Sequence, residues 1–317
     1  MKDTILFGDC RETLKNLTNS SARMCVTSPP YYGLRDYGGE KNQIGQEESP
    51  EEYVKQMVEV FRLVRDVLTD DGTLWLNIGD SYYNYRSDGN YPKQTVSKTR
   101  QDLPQSTPVR GNKLEGLKSK DLIGIPWMLA FALRADGWYL RQDIIWHKPN
   151  PMPESVKDRC TKAHEYIFLL SKSKNYFYDN EAIKEPAKDW GTRDRTNGKY
   201  HNPGSGLAPH SGLTKSYPTK NKRSVWSVTK KPYKGAHFAV FPPELIEPCI
   251  LAGSEVGDTI LDPFMGSGTS AMVAKSLGRY YTGCELHEEY GNLIQERIQD
   301  YHPVNEVAQE PTINILD

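Results

Sequence analysis

Short apolar runs alternate with segments of helical periodicity along most of the chain. The apolar runs are three to eight residues long, which is typical of buried strands. They cover residues 5–7, 24–26, 73–78, 139–146, 164–170, 259–262 and 280–284. The segments of helical periodicity cover residues 11–17, 49–68, 121–135, 242–251, 270–277 and 286–301. This alternation predicts an α/β fold with a doubly wound, mostly parallel sheet and helices on both faces.

Two long segments interrupt the pattern, at residues 85–118 and at about 181–235. Both are polar and rich in glycine and proline, and neither shows a period. Residues 190–236 carry ten Lys and Arg against one acid, and residues 91–120 carry seven against two. Because the net charge is −1, the rest of the chain is acidic. Such segregation predicts a polyanion-binding face on an acidic body.

The composition narrows the class of protein. The chain has 317 residues, which suits one large domain or a core with an inserted module, and 37% of them are hydrophobic. No apolar run approaches the ~20 residues that a membrane span needs, and the N-terminus lacks the layout of a signal peptide. The five cysteines are scattered without zinc or redox spacing. We therefore expect a cytoplasmic protein with reduced thiols and no metal site.

A stiff loop follows the apolar run 24–26. It consists of Thr27, Ser28, Pro29, Pro30, Tyr31 and Tyr32. Two prolines cannot continue a sheet ladder, so the chain must leave the sheet here. The loop offers a hydroxyl, a carbonyl and two aromatic faces, a set that can grip a flat heterocycle with an exocyclic amine. On these six residues alone, a proline-rich turn with packed tyrosines is the favoured interpretation.

A glycine loop follows the run 259–262, at residues 264–269. Its glycines let the backbone approach a ligand closely, and the helix that follows offers N–H groups. The next strand ends on Glu285, which is placed to bond a pair of ribose hydroxyls, and the first strand ends near Asp9, which could accept from an adenine amine. Ligands of such sheets bind at the carboxyl ends of the strands.

A nicotinamide dinucleotide is the alternative ligand. Residues 266–271 fit the G-x-G-x-x-A pattern, and Glu285 lies close to the ~20-residue spacing that such a site expects. Against this, only one strand–helix unit remains after the loop. A P-loop is excluded, because no Lys-Ser/Thr pair follows the glycines.

Two motifs together resemble the amino-methyltransferases of DNA, which methylate N4 of cytosine or N6 of adenine. The catalytic loop of that family reads Ser/Asp/Asn-Pro-Pro-Tyr/Phe, matched by residues 28–31. Its S-adenosylmethionine loop reads Asp-Pro-Phe-x-Gly-Ser/Thr-Gly-Thr, matched by residues 262–269. The catalytic loop comes first here, which is the permuted order of the family's β group. The resemblance implies a Rossmann-like methyltransferase sheet with a basic inserted target-recognition region.

The resemblance also implies a set of ligand-binding residues. The catalytic residues are Ser28, Pro29, Pro30 and Tyr31. Residues that bind S-adenosyl-L-methionine are Asp9, Cys10, Phe238, Asp262, Phe264, Gly266, Ser267, Gly268, Thr269 and Glu285. DNA-binding candidates are Arg193, Arg195, Lys220, Lys222, Arg223, Lys230 and Lys231.

The domain organisation follows from the same resemblance. Residues 1–180 form the catalytic half of the core with the basic loop 85–118, residues 181–235 the target-recognition region, residues 236–303 the cofactor half, and residues 304–317 a tail. The implied partners are double-stranded DNA and a cognate restriction endonuclease, and the protein is expected to be a monomer or a homodimer.

The chemistry of the loop agrees with this resemblance. An exocyclic amine is conjugated with its ring and is a poor nucleophile. Hydrogen bonds from its N–H groups to the Ser28 hydroxyl and the Pro29 carbonyl would free its lone pair to attack the methyl donor. The base must be flipped out of the duplex, and Tyr31 would stack on it. Serine at the head of the loop is more usual for cytosine enzymes in this family, so cytosine N4 is favoured and adenine N6 is the alternative.

Three further features of the sequence each allow two interpretations. Residues 79–82 could line the floor of the pocket or form a capping turn. Trp226 could wedge beside DNA or anchor its loop to the core. His147 and Lys148 could contact a phosphate, but a solvated loop is the preferred interpretation.

Overall fold

One eight-stranded sheet organises the computed structural model, which describes residues 2–33, 43–83, 114, 116–187, 218–230 and 241–300. The strands are β1 (Thr4–Phe7), β2 (Ala22–Thr27), β3 (Leu68–Ile78), β4 (Tyr139–His147), β5 (His164–Ser171), β6 (Glu185–Pro186), β7 (Thr219–Lys220), β8 (Val225–Ser227), β9 (Thr259–Asp262) and β10 (Tyr280–Glu285). The helices are α1 (Cys10–Thr13), α2 (Pro50–Val67), α3 (Ile125–Ala135), α4 (Pro243–Gly253), α5 (Thr269–Ser276) and α6 (Tyr290–Asp300).

The strand order in the large sheet is β1-β10-β9-β2-β3-β5-β4-β8. Neighbours from β1 to β3 are parallel, as are β4 and β8, whereas β5 runs antiparallel to both β3 and β4. The predicted α/β fold with a mostly parallel sheet is therefore confirmed. The strands β6 and β7 form a separate antiparallel pair.

Helices cover both faces of the sheet, as predicted. Helix α2 begins at a Ser49 cap whose hydroxyl accepts from the Glu52 N–H, with Pro50 in its first turn. Its apolar stripe packs on one face around Tyr53 and Phe61, both fully buried. Helices α4 and α5 pack on the other face, in a cluster that includes Trp75. Of the helices that the structure describes, none is long and apolar enough to span a membrane.

The third strand is longer than its apolar run predicts. Asp71 and Gly72, which precede the predicted run 73–78, lie inside β3. The pairing with β2 moves from Ala22↔Leu68 to Met24↔Thr73, so β3 carries extra residues opposite two positions of β2. This irregularity accommodates the polar residues within a continuous strand.

Candidate active site

The two motif loops leave the sheet side by side. Strand β2 ends at Thr27 and strand β9 at Asp262, and the two strands pair in parallel with Cys25 opposite Leu261. The carboxyl ends of paired parallel strands share one edge of the sheet. The catalytic loop (residues 28–31) and the glycine loop (residues 264–269) are therefore neighbours, although they are more than 200 residues apart in sequence.

A buried hydrogen bond joins the roots of the two loops. The Thr27 hydroxyl donates to Asp262 Oδ1 at 2.6 Å, and both residues are 2% exposed or less. The same carboxylate accepts from the Phe264 N–H at 3.0 Å and from the Ser270 hydroxyl at 2.5 Å. Burial raises the pKa of Asp262 to about 6, against these three hydrogen bonds, which lower it. The side chain predicted to bind cofactor thus bonds within the protein, where it shapes both loops.

Backbone geometry explains the glycines of the second loop. Gly266 and Gly268 have φ values of +54° and +79°, a region that favours glycine. Gly268 caps α5, and a Cβ there would lie 2.6 Å from Ile294 Cγ2. Ser267 is buried and its hydroxyl accepts from Arg297, and Thr269 begins α5. At Gly266 and Gly268 the glycine loop therefore presents backbone without side chains next to the start of α5.

The acids predicted at the neighbouring strand ends lie beside this loop. Strand β10 lies between β1 and β9, and its Glu285 pairs in register with Phe7 of β1. Glu285 accepts from the Gly266 N–H at 2.7 Å and from the His287 N–H at 3.0 Å. Burial raises the pKa of Glu285, although these two N–H groups oppose the shift. Each oxygen keeps a further lone pair, which suits a ribose diol.

Asp9 follows β1 and is held by its own helix turn. Its carboxylate caps α1 through the Arg11 N–H and pairs with the Arg11 guanidinium at 2.6 Å. Burial alone would raise the pKa of Asp9, but the hydrogen bonds and charge of Arg11 outweigh burial and lower it. Cys10 is buried in the first turn of α1. The carboxylate is therefore ionised and oriented before any ligand is bound.

These residues fit the predicted cofactor. A close backbone approach at Gly266 and Gly268, a helix N-terminus, and the carboxylates of Glu285 and Asp9 beside two adjacent strand ends suit a nucleoside with a positively charged sulfonium group. Phe264 packs partly buried against the core beside them. Phe238 lies outside the residues that the structure describes.

Hydrogen bonds of two tyrosine hydroxyl groups, one of them within the loop, fix the position of the catalytic loop. The Tyr53 hydroxyl, from α2, donates to the Pro30 carbonyl at 2.9 Å. Tyr31 donates its hydroxyl proton to Glu165 Oε2 at 2.8 Å. Pro29 is buried, whereas Ser28 is half-buried at the head of the loop. Ser28 therefore has the partly accessible hydroxyl at the head of this motif.

Lys148 also contributes to this arrangement, and its burial shows that the solvated loop expected from the sequence is wrong for this residue. Lys148 is 5% exposed and forms an ion pair with Glu165, so it does not belong to a solvated loop. Burial lowers the pKa of Lys148 to about 8, although the Glu165 charge opposes the shift. Glu165 and Lys148 carried no sequence signal for this role, because they pair only when β4 and β5 are side by side.

The turn after β3 proves to be a cap. Asp80 accepts from the Gly124 N–H at 3.0 Å and from the Ile125 N–H at 3.1 Å, which are the first groups of α3. The capping interpretation is therefore confirmed for Asp80. It also explains why α3 begins at Ile125 rather than at residue 121.

The basic residues of the inserted region fall into two groups. Arg193, Arg195 and Lys231 lie outside the described residues. Lys220 and Arg223 both pair with Glu185, although the Arg223 side chain remains 73% exposed. Lys222 lies 5.1 Å above the Trp226 ring, and the backbone N–H of Lys230 donates to the Asn150 side chain.

Trp226 anchors this region to the sheet. It lies in β8 opposite Trp146 of β4, is 6% exposed, and donates its indole N–H to the Arg223 carbonyl at 2.7 Å. The anchoring interpretation is thus confirmed over the DNA wedge. The exposed basic side chains of residues 220–223 are positioned by this anchor.

Comparison with known proteins agrees with this geometry. A family model described as DNA methylase, of the N6 and N4 type, matches residues 22–296. Type II methyltransferase M.SmaI from Serratia marcescens is 48% identical over 298 residues, which cover 93% of this chain and 90% of that protein. Type II methyltransferase M.Cfr9I from Citrobacter freundii is 47% identical over 296 residues, with coverage of 93% and 87%.

Two solved structures share the fold. The cytosine-N4-specific PvuII DNA methyltransferase superposes with a TM-score of 0.63 at 18% identity, covering 96% of this chain and 89% of that one. The candidate DNA modification methylase TTHA0409 from Thermus thermophilus, solved with S-adenosyl-L-methionine, gives a TM-score of 0.57 at 23% identity, with coverage of 93% and 92%. Given the family match and the close relatives, this chain belongs to the N6/N4 family of DNA methylases.

Proposed function

We propose that this protein is a site-specific DNA methyltransferase that transfers a methyl group from S-adenosyl-L-methionine to N4 of a cytosine flipped out of the duplex. The observation that carries the proposal is the adjacency of the catalytic and glycine loops, joined by the Thr27–Asp262 hydrogen bond. The cofactor predicted from the sequence is confirmed by the family, and membership leaves the dinucleotide alternative without support. The enzyme class agrees with relatives named Type II methyltransferases.

The glycine loop would hold the methyl donor and the catalytic loop the acceptor base at the strand edge they share. Glycine-loop backbone, Glu285 and Asp9 hold the cofactor, which supplies an electrophilic methyl group when bound. Ser28 and the carbonyl of Pro29 accept hydrogen bonds from the base amine, which localises the nitrogen lone pair. No covalent attachment of the base to the protein is needed, so the rate enhancement comes from positioning and from fixed dipoles.

The choice of cytosine rests on Ser28. A neutral hydroxyl heads the loop where adenine enzymes of this family usually carry aspartate. The amine is out of reach inside a duplex, so the base must leave the stack to meet Ser28. The ring of Tyr31 remains the proposed stacking partner, since its hydroxyl end is held by Glu165.

The inserted region is proposed to contact the DNA. Two cations near Trp226, the exposed Arg223 and the half-buried Lys222, are suited to phosphates on the duplex. Arg193, Arg195 and Lys231 are proposed to act with them. A cognate restriction endonuclease, and a monomeric or homodimeric state, remain predictions.

Mass spectrometry of nucleosides tests the function and the base together. The protein is incubated with mixed-sequence duplex DNA and cofactor carrying a deuterated methyl group, and the DNA is then digested to nucleosides. We expect deuterated N4-methylcytosine. Deuterated N6-methyladenine would overturn the choice of base, and an absence of label while cofactor binding is demonstrated would overturn the function.

A further inference from the structure

A long loop connects β4 and β5 at the edge of the sheet that carries the catalytic loop. Strand β5 is antiparallel to both β3 and β4, so β3 and β4 run in the same direction and end at the same edge. Strand β2 is parallel to β3 and ends there too, where the catalytic loop begins. The connection from β4 to β5 therefore lies at the edge where the target base is proposed to be held.

This connection is much longer than two paired strands require. The Lys148 N–H still donates to the Ala163 carbonyl at 2.8 Å, so the unpaired part, which we call the β4–β5 loop, consists of residues 149–162. Adjacent antiparallel strands are usually joined by about two to five residues. Ordered loops longer than about 12 residues with no helix or strand of their own are uncommon and usually have a function.

Prolines and side-chain hydrogen bonds stiffen the first part of the β4–β5 loop. Three prolines alternate with Asn150 and Met152 over residues 149–153, and each proline fixes one backbone φ angle. The Asn150 side chain donates to the Lys230 carbonyl and accepts from the Lys230 N–H, both at 3.0 Å. These two bonds join the loop to the inserted region that is proposed to contact the DNA.

The two ends of the β4–β5 loop are fixed relative to the catalytic loop. Lys148, which directly precedes the β4–β5 loop, forms an ion pair with Glu165. The other oxygen of that carboxylate accepts the hydroxyl proton of Tyr31 at 2.8 Å. Towards the other end, the Arg159 guanidinium lies 3.8 Å from the centre of the Tyr82 ring, in the turn after β3. The position of the loop beside the catalytic loop is therefore well defined.

Met152 is the most exposed apolar side chain of this loop. It is 76% exposed, and among the large hydrophobic residues that the structure describes only Val256 is comparable, at 75%. Single exposed apolar residues are ordinary on protein surfaces, so exposure by itself indicates nothing. The position of Met152 is the informative observation, because it lies between two prolines on a loop held beside the catalytic loop.

The charges around this methionine indicate a polyanion as its partner. The two acids of the β4–β5 loop are already paired, Glu154 with Arg159 and Asp158 with Lys120. The Lys120 side chain nonetheless remains 80% exposed, and Lys157 is exposed as well. An apolar side chain next to exposed cations suits a DNA duplex, which presents phosphates on its outside and stacked bases within.

We propose that Met152 inserts into the duplex and fills the space that the target base vacates when it is flipped out. Flipping breaks the stacking of that base on its neighbours, which costs free energy. A flexible, polarizable thioether side chain contacts the uncovered faces of the neighbouring bases and recovers part of this cost. The stiff backbone on both sides reduces the entropy that is lost on insertion. This inference rests on the proposed function and names the residue that stabilises its flipped state.

Paired and mispaired DNA distinguish this role from a structural one. Both duplexes carry the site that the wild type methylates, and the target base is mispaired in one of them, which lowers the cost of flipping. Single-turnover rates are measured with saturating cofactor and DNA. We expect Met152→Ala to slow transfer at least about 10-fold on the paired duplex and less than about 3-fold on the mispaired one. Met152→Leu keeps a similar apolar volume and should recover most of the rate.

A fluorescent base analogue reports the flipping step itself. Pyrrolocytosine in place of the target cytosine emits more strongly when it is unstacked, so its emission should rise less with Met152→Ala than with the wild type. Val256→Ala is the matched control, because Val256 is equally exposed but precedes β9 at the opposite edge of the sheet. The control should leave the rates, the emission and the affinity for the cofactor unchanged.

Three results would overturn the proposal. They are a wild-type rate for Met152→Ala on the paired duplex, equal slowing on both duplexes, and a Met152→Leu variant no faster than Met152→Ala. Equal slowing with a changed sedimentation coefficient would place Met152 at a contact between protein chains instead. Wild-type protein that binds cofactor and methylates no DNA would defeat the proposed function rather than the role of Met152.

Discussion

The glycine loop and the catalytic loop meet at one sheet edge but are held in different ways. The glycine loop is bonded mainly within residues 262–297: Phe264 and Ser270 bond Asp262 across 2 and 8 residues, Gly266 bonds Glu285 across 19 and Arg297 bonds Ser267 across 30. At its root, Thr27 bonds Asp262 across 235 residues. The catalytic loop relies on α2 and β5, since Tyr53 bonds Pro30 across 23 residues and Tyr31 bonds Glu165 across 134.

This difference implies that the glycine loop and the catalytic loop have separate roles. A locally bonded loop keeps its shape whenever its own strand and helix form, which suits a site that must bind cofactor before DNA arrives. A loop that depends on distant strands is correct only when the whole sheet is assembled. Substitutions in the glycine loop should therefore lower the affinity for the cofactor, whereas substitutions in the catalytic loop should lower the rate of methyl transfer.

The largest effect on cofactor binding is expected from Gly268→Ala. The residue has φ of +79° and its Cβ would meet Ile294, so backbone strain of about 1–2 kcal/mol is added to a clash at the start of α5. Calorimetric titration should show S-adenosylmethionine binding weakened at least about 10-fold.

Gly257→Ala is the control for that change. Gly257 has φ of +87° with nothing within 4 Å of a Cβ, so it carries the strain without the clash and lies away from the loop. Equal loss of cofactor affinity in the two variants would mean that the loop geometry does not bind the cofactor.

The pH dependence of stability should report the buried Asp262. Its pKa is about 6 when folded and near 3.8 when unfolded, so its contribution to stability is complete below the unfolded value and is lost as the pH rises through about 6. The free energy of unfolding of the wild type, minus that of Asp262→Asn, should fall by up to roughly 3 kcal/mol between pH 4 and 7. Urea denaturation measures both proteins, and a difference that is flat with pH would contradict the assignment.

Thr27→Val tests the link between the two loops. The change removes the donor to Asp262 Oδ1 and leaves that buried acceptor less satisfied, at a cost of about 1–3 kcal/mol in unfolding free energy. Ser270→Ala removes the bond to Oδ2 of the same carboxylate but only within the glycine loop. We expect Thr27→Val alone to slow single-turnover transfer, and equal slowing in both would show that the link has no special role.

Tyr53→Phe should have the smallest effect. It deletes one hydrogen bond to the Pro30 carbonyl at 2.9 Å and keeps the buried ring, so unfolding free energy should fall by about 1 kcal/mol. Transfer should slow by a few-fold with cofactor affinity unchanged, as measured by calorimetry and single-turnover assays. Weaker cofactor binding by this variant would contradict the separate roles of the two loops.

The same contrast explains what could be predicted from the sequence. The glycine loop and Glu285 were assigned from spacing because their contacts are local, and the shared edge followed from parallel strands. The catalytic loop was identified from Ser28 to Tyr31, yet its support by Glu165 was missed, because nothing near Glu165 indicates a partner 134 residues away. Lys148 was missed with it, since its partner is Glu165.

Asp262 shows a second limit of sequence reasoning. Its motif position indicated cofactor binding, whereas its buried carboxylate accepts hydrogen bonds from Thr27, Phe264 and Ser270. The direction of a side chain at a strand end depends on which strand lies next to it. The sequence alone did not establish that β2 is the neighbour of β9.

Ser28→Ala tests the central claim most directly, because it changes the proposed acceptor contact and nothing in the glycine loop. Cofactor affinity from calorimetry and the single-turnover rate of DNA methylation should be measured on the same preparation. The account predicts an unchanged dissociation constant for S-adenosylmethionine and a transfer rate reduced about 100-fold or more. A variant that transfers at the wild-type rate, or one that loses cofactor binding in step with the rate, would contradict it.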